Sequence, residues 1–128
     1  MTQTVVNVPA VAAGGKMGEG DFFSTTAGGN ITIDLSNGYY QRITLNAAIT
    51  DVAFSAVPAD EGRSVVVDFI QPSSGTTYGA SFPGIKFDSG IAPTLSTGNS
   101  DVDRIAFDLV NDGVTTTEYG HVLGLDMA

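Results

Sequence analysis

The stretch ITIDLSNGYYQRITLN, residues 31–46, decides the fold class. Ile31, Ile33 and Leu35 fall on one face of an extended chain and Thr32 and Asp34 on the other, the period-two alternation of a half-buried strand. A helix would need apolar positions at the helical period, and no long window of this chain supplies them. Asn37-Gly38 follows, a dipeptide that accepts the two positive φ values of a type I′ turn. Residues 31–35 and 40–46 are therefore expected to pair as a hairpin, with Ile43 and Leu45 joining the inward face.

Outward from that stretch the rhythm continues. Residues 49–57 read as a third strand, with Val52, Phe54 and Ala56 on one face and Pro58 and Gly62 beyond its end. Residues 63–70 are denser: Val65, Val67 and Phe69 face one way, Val66, Asp68 and Ile70 the other, the pattern of a central strand. Residues 77–82 make a weaker strand, 85–87 a short edge piece, and 88–100 a loop. Residues 103–110, with Ile105, Phe107 and Leu109 alternating, meet 115–123 across Asn111-Asp112-Gly113, a second hairpin signal. Seven to eight short strands joined by tight turns predict an all-β domain over residues 30–128, an antiparallel β-sandwich of jelly-roll-like form. Residues 1–29 differ. They mix small apolar residues with glycine and offer no complete strand beyond 3–8, so they are read as an extended N-terminal arm, either a flexible leader or a segment ordered against another subunit.

Composition narrows the function classes. A chain of 128 residues with 42% hydrophobic content is long enough for one conventional core. With no cysteine there is no disulfide framework and no thiolate metal site. The N-terminus lacks a basic segment followed by an apolar run, so no secretory signal is expected, and no stretch is long and apolar enough for membrane insertion. Synthesis in a cytoplasm and release by lysis follow as the expectation. The net charge of −9 repels phosphate backbones, which argues against a nucleic-acid partner.

Few residues invite chemistry. His121 is the one histidine, so any Ser-His-Asp arrangement would have to be built around it; the plainer reading is a packed or interface histidine. Asp101 with Asp103, and Asp108 with Asp112, are carboxylate pairs for which a solvated surface, a cation site and glycoside hydrolysis are all open, the surface reading being the simplest. Gly14-Gly15-Lys16 lacks the spaced glycine and the following hydroxyl of a phosphate loop. Tyr39 and Tyr40 beside the first turn, and Tyr78 near a polar turn, have the ring area and directional hydroxyl that suit contact with carbohydrate or protein, while core-edge packing or subunit contact is the plainer reading. The expected partner-contact residues are thus Tyr39, Tyr40, Tyr78 and His121, with no catalytic residue, no metal ligand and no cofactor.

Four stretches carry a family resemblance: ITIDLS (31–36), LNAAITDVAFSAVP (45–58), IKFDSGIAPTLSTG (85–98) and DRIAFDLVNDGVTTTEYGHVLG (103–124). In this order they resemble a recurrent β-module of phage tail-fibre and related virion surface proteins. In that family an aromatic-bearing strand, a glycine, APTLSTG, an apolar strand ending in an Asp-Gly turn and a strand with a Tyr-Gly pair succeed one another. Phe87, Gly90, residues 92–98, Asp112-Gly113 and Tyr119-Gly120 hold those places here. The resemblance implies a non-enzymatic structural component of a bacteriophage virion exterior, assembled as a homo-oligomer with a trimer favoured. It could serve as a fibre or spike subunit touching a host-surface glycan. Alternatively it is a capsid decoration subunit whose N-terminal arm contacts other virion proteins. Glycan hydrolysis is a minor third reading.

Overall fold

Alternating side chains bury one face of a strand, so strands must gather into a sheet. The computed structural model describes residues 22–127, and there six strands form one sheet. They are β1 (Phe23–Asp34), β2 (Tyr40–Ser55), β3 (Glu61–Ile70), β4 (Lys86–Phe87), β5 (Val102–Asn111) and β6 (Thr116–Gly124), in the spatial order β1-β2-β3-β5-β6-β4. The fold is all-β. Its helical content among the described residues is two 3-10 turns, Leu35–Asn37 and Asp88–Gly90.

The pairing corrects the expectation of a wholly antiparallel arrangement. β3-β5 and β5-β6 are antiparallel, but β1-β2, β2-β3 and β4-β6 are parallel. The hairpin expected across Asn37-Gly38 does not form: Phe23 stands opposite Gln41 and Ile31 opposite Val52, both strands running the same way. The inward residues were nonetheless read correctly, since Ile31, Ile33, Leu35, Ile43 and Leu45 are all buried. Period-two alternation sets the face a side chain takes and is silent about the direction of the neighbour. Six strands replace the expected seven to eight because 40–46 and 49–57 merge into β2, while 77–82 reduces to a single parallel bridge between Ile49 and Ala80. β1 also runs through the boundary expected at residue 29, so 23–29 belong to the sheet; residues 1–21 of the expected arm lie outside the described residues.

Parallel neighbours ordinarily need a crossover of a dozen or more residues, and here only residues 35–39 intervene. The chain manages this because β1 is sharply bent. Gln41, the partner of Phe23, donates from its side-chain amide to the Asp34 carbonyl at 2.8 Å, so the two ends of β1 lie on the order of 15 Å apart. A straight strand of this length would span roughly 36 Å. The corner is at Gly28-Gly29, where the register with β2 slips twice. A Cβ on Gly28 would lie 2.6 Å from the backbone nitrogen of Ala47, so only glycine lets the two corners nest. The result is a coil: β1 and β2 are successive turns, and β3 with Ala80 is a third. The β5-β6 hairpin then closes against β3 in the opposite sense.

The core fills the inside of the bend. Phe54, Phe69, Phe82 and Phe107 meet ring to ring with centroids 5.1 to 6.5 Å apart, and Phe87 adds to Phe82 at 5.5 Å. The Phe54-Phe107 contact places the second half of β2 over β5. Gly120 is paired with both Phe87 and Phe107, and a Cβ there would meet the Phe87 ring at 2.3 Å. Phe87 and the Tyr119-Gly120 pair are thus a ring and the gap it fills. Leu95, in the APTLSTG stretch, is buried in the same core.

Candidate binding face

On the sheet face away from the core, strand register alone assembles a row. Tyr40 is opposite Val66, Val66 opposite Ala106, and Ala106 opposite His121, across β2, β3, β5 and β6. Directly paired residues share a face, so Tyr40 and His121 stand at the two ends of a shallow strip whose middle is a valine and an alanine, roughly 14 Å apart. One flank carries Arg42, Asp68 and Arg104; the other carries Ser64, Asp108 and Tyr119.

The first flank is fastened by charge. Arg104 grips Asp68 with two bonds, Nε to Oδ1 at 2.7 Å and an Nη to Oδ2 at 3.0 Å, and its Nη also donates to the Tyr40 hydroxyl at 2.7 Å. The Tyr40 hydroxyl in turn donates to Asp68 Oδ2 at 2.6 Å. Burial pushes the Asp68 carboxyl up, but the bonds from Arg104 and Tyr40 and the two nearby guanidinium charges outweigh it and hold it below the usual carboxylate range. Donation to Asp68, followed by burial, raises the Tyr40 phenol above the ordinary tyrosine value. Asp68 is 1% exposed, which a carboxylate tolerates only when paired and bonded in this way. Arg42 also flanks it, Nε to Oδ2 at 3.5 Å, with no hydrogen-bond partner for that buried nitrogen among the described residues. Two guanidinium groups on one carboxylate make a local positive spot on an acidic chain, and Phe22, half exposed, lies beside Arg42 and Tyr40.

The second flank has the residue types of a catalytic triad in the wrong order. His121 Nε2 lies 3.0 Å from Asp108 Oδ2, and the Ser64 hydroxyl donates to Asp108 Oδ1. In a nucleophilic triad the imidazole sits between serine and aspartate so that it can take the serine proton. Here the aspartate is in the middle, and the Ser64 hydroxyl meets its carboxylate and not the imidazole. The trio is a polar cluster, open to solvent at His121 and Asp108.

Of the four residues expected to touch a partner, the fold brings Tyr40 and His121 to one face. Tyr39 is 63% exposed just before β2, outside that row. Tyr78 takes the core-edge place that was the plainer of its two readings: it packs against the core, and its backbone is held at both N–H and C=O by the side chain of Gln71. Asp103 likewise departs from the solvated reading. It is 1% exposed and accepts from Ser96 N–H, the Ser96 hydroxyl and Asp126 N–H. Asp112 does serve its turn, accepting from Val114 and Thr115 N–H.

Sequence reasoning passed over Gln41, Gln71 and Asp68 as structural anchors. A glutamine among β-branched residues at an inward parity position is a visible signal for Gln41; nothing local marks Gln71, whose amide also donates to Ser96 across the molecule. Among the described residues no group of three or more His, Cys, Asp or Glu is placed to hold a metal ion. Compared with protein-family models, with curated proteins and with solved structures, the chain matches none.

Proposed function

We propose that this chain is a non-enzymatic structural subunit of a bacteriophage virion exterior that works by presenting the Tyr40-to-His121 face to a partner. The observation that carries the reading is that face itself: aromatic, guanidinium, carboxylate and hydroxyl groups set on paired strands, with Asp68, Arg104 and Tyr40 locked by mutual hydrogen bonds. Such a surface is prepared for contact, because its side chains lose little freedom on binding. The resemblance supports the virion assignment, since the stretches that carry it supply the Phe87-Gly120 packing and the buried Leu95. We read the bent strands as corners of a closed, jelly-roll-like sandwich, and the subunit as a homotrimer, its face turned to a host glycan in a fibre or spike.

A capsid decoration subunit is the second reading. Quantitative mass spectrometry of purified particles tests both. A few trimers per particle fit a fibre or spike, and hundreds of copies fit decoration. Absence from particles, or a chain that stays monomeric by light scattering, would overturn the assignment.

A further inference from the structure

β1 forms one edge of the sheet, with no neighbour beyond it among the described residues. Its sequence, FSTTAGGNITID, has no Lys, Arg or Pro, and its one charge is at the last position. Proteins usually guard a long edge with such residues, because open N–H and C=O groups recruit other strands. Beside this edge a cleft of about 450 Å³ opens into the bend of the coil, lined by Phe23, Ala27, Ile31, Gln41 and Ile43 among others. An unguarded edge over a partly apolar cleft is a seat for one more strand.

We propose that the occupant is the segment 3–8 of the same chain, QTVVNV, added parallel to β1 as a further turn of the coil. The spacing carries the argument. β1 and β2 repeat eighteen residues apart in their first halves, Phe23 opposite Gln41 and Ala27 opposite Leu45. Twenty-one residues precede Phe22. One step of eighteen back from Ser24 lands on Val6, in the middle of the only strand-like stretch of the arm. In that register Val5, opposite the cleft-lining Phe23, would face the cleft, and the backbone of the segment would satisfy the open edge.

The absence of cysteine makes a clean test. Ser24→Cys is combined in turn with Thr4→Cys, Val6→Cys and Val8→Cys, and each pair is mildly oxidised. Adjacent strands hold opposite Cα atoms about 4.8 Å apart, within disulfide range. The expected result is a crosslink within one chain for at least one pair, in clear excess over the control Val6→Cys with Val114→Cys. Yields no better than the control, or covalent dimers showing that the strand comes from a second copy, overturn the proposal. Hydrogen exchange on a chain lacking residues 2–10 gives an independent readout. β1 amides should lose about tenfold or more of their protection while the β5-β6 hairpin keeps its own, which separates loss of the added strand from misfolding. Unchanged β1 protection overturns the proposal as well.

Discussion

The connection after β1 and the connection after β5 are both built around Asn and Gly, yet the first delivers the chain to a parallel neighbour and the second to an antiparallel one. After β5 the turn is self-contained. Asp112 N–H donates to the Thr115 carbonyl, the Asp112 and Asn111 side chains bind the N–H groups of residues 113–115, and Gly113 has φ +92°. After β1 the turn is a 3-10 loop capped by Asp34, and Gly38 has φ +117° and ψ 171°. Those angles belong to a nearly glycine-only region and not to a type I′ turn. Besides its own bonds, it is held by a buried side chain just past it: Gln41, three residues beyond Gly38, donates to the carbonyls of Asp34 and Gly38. Turn chemistry decides direction where nothing larger opposes it, and yields where a buried side chain and a bent strand demand another path.

The sharpest way to break this contrast is Gln41→Leu. It keeps the volume but strands two carbonyls in a dry corner, and should cost roughly 2–4 kcal/mol by denaturant unfolding. A loss below about 0.5 kcal/mol would mean that water replaces the amide. Gly38→Ala comes next, at about 2 kcal/mol, because its backbone angles exclude a Cβ. Gly113→Ala should cost about 1 kcal/mol, since an ordinary left-handed position is less strained, although the added Cβ would also press on Asp60 at 3.2 Å. If Gly113→Ala proved the costlier of the two, the ranking of the two turns by backbone strain would be reversed.

The smallest expected effect is one of acid. The Ser36 hydroxyl and then its N–H hold the Asp34 carboxyl below its ordinary value, and the N–H groups of Thr115 and Val114 do the same for Asp112. Because the folded value is the lower one, each contribution is present above the unfolded value of about 3.9 and is lost as pH falls through the folded one. The amide resonances of Ser36, Val114 and Thr115 should therefore move together below about pH 4. The Gln41 side-chain amide, bonded to backbone carbonyls and to no carboxyl, should move less than these three. An inflection at or above the ordinary carboxylate value would show that these bonds do not form.

Much of the binding face was legible in single residues and almost none of it in their arrangement. Tyr40 and His121 are recognisable by type, but they meet in one row only because β3 and β5 lie between them, and β3 and β5 pair across a separation of about forty residues. Tyr78 looked like a loop aromatic from its polar neighbours; Gln71, seven residues earlier, turns it toward the core. Asp68 was read only as one position on a face of the dense strand 63–70, because its partner Arg104 is thirty-six residues away.

Alternation by itself determined that this is a β protein, which side chains face inward, that residues 63–70 lie at the centre, and where the Asn111-Asp112-Gly113 hairpin closes. These are local properties, set by the steric period of an extended backbone and by side chains bonding within a few positions of themselves. Strand direction, the corner at Gly28, the packing of Phe87 on Gly120 and the charged lock at Asp68 were decided by the tertiary structure alone. Each depends on which distant segment arrives alongside, and the free energy that settles it is the burial shared between them.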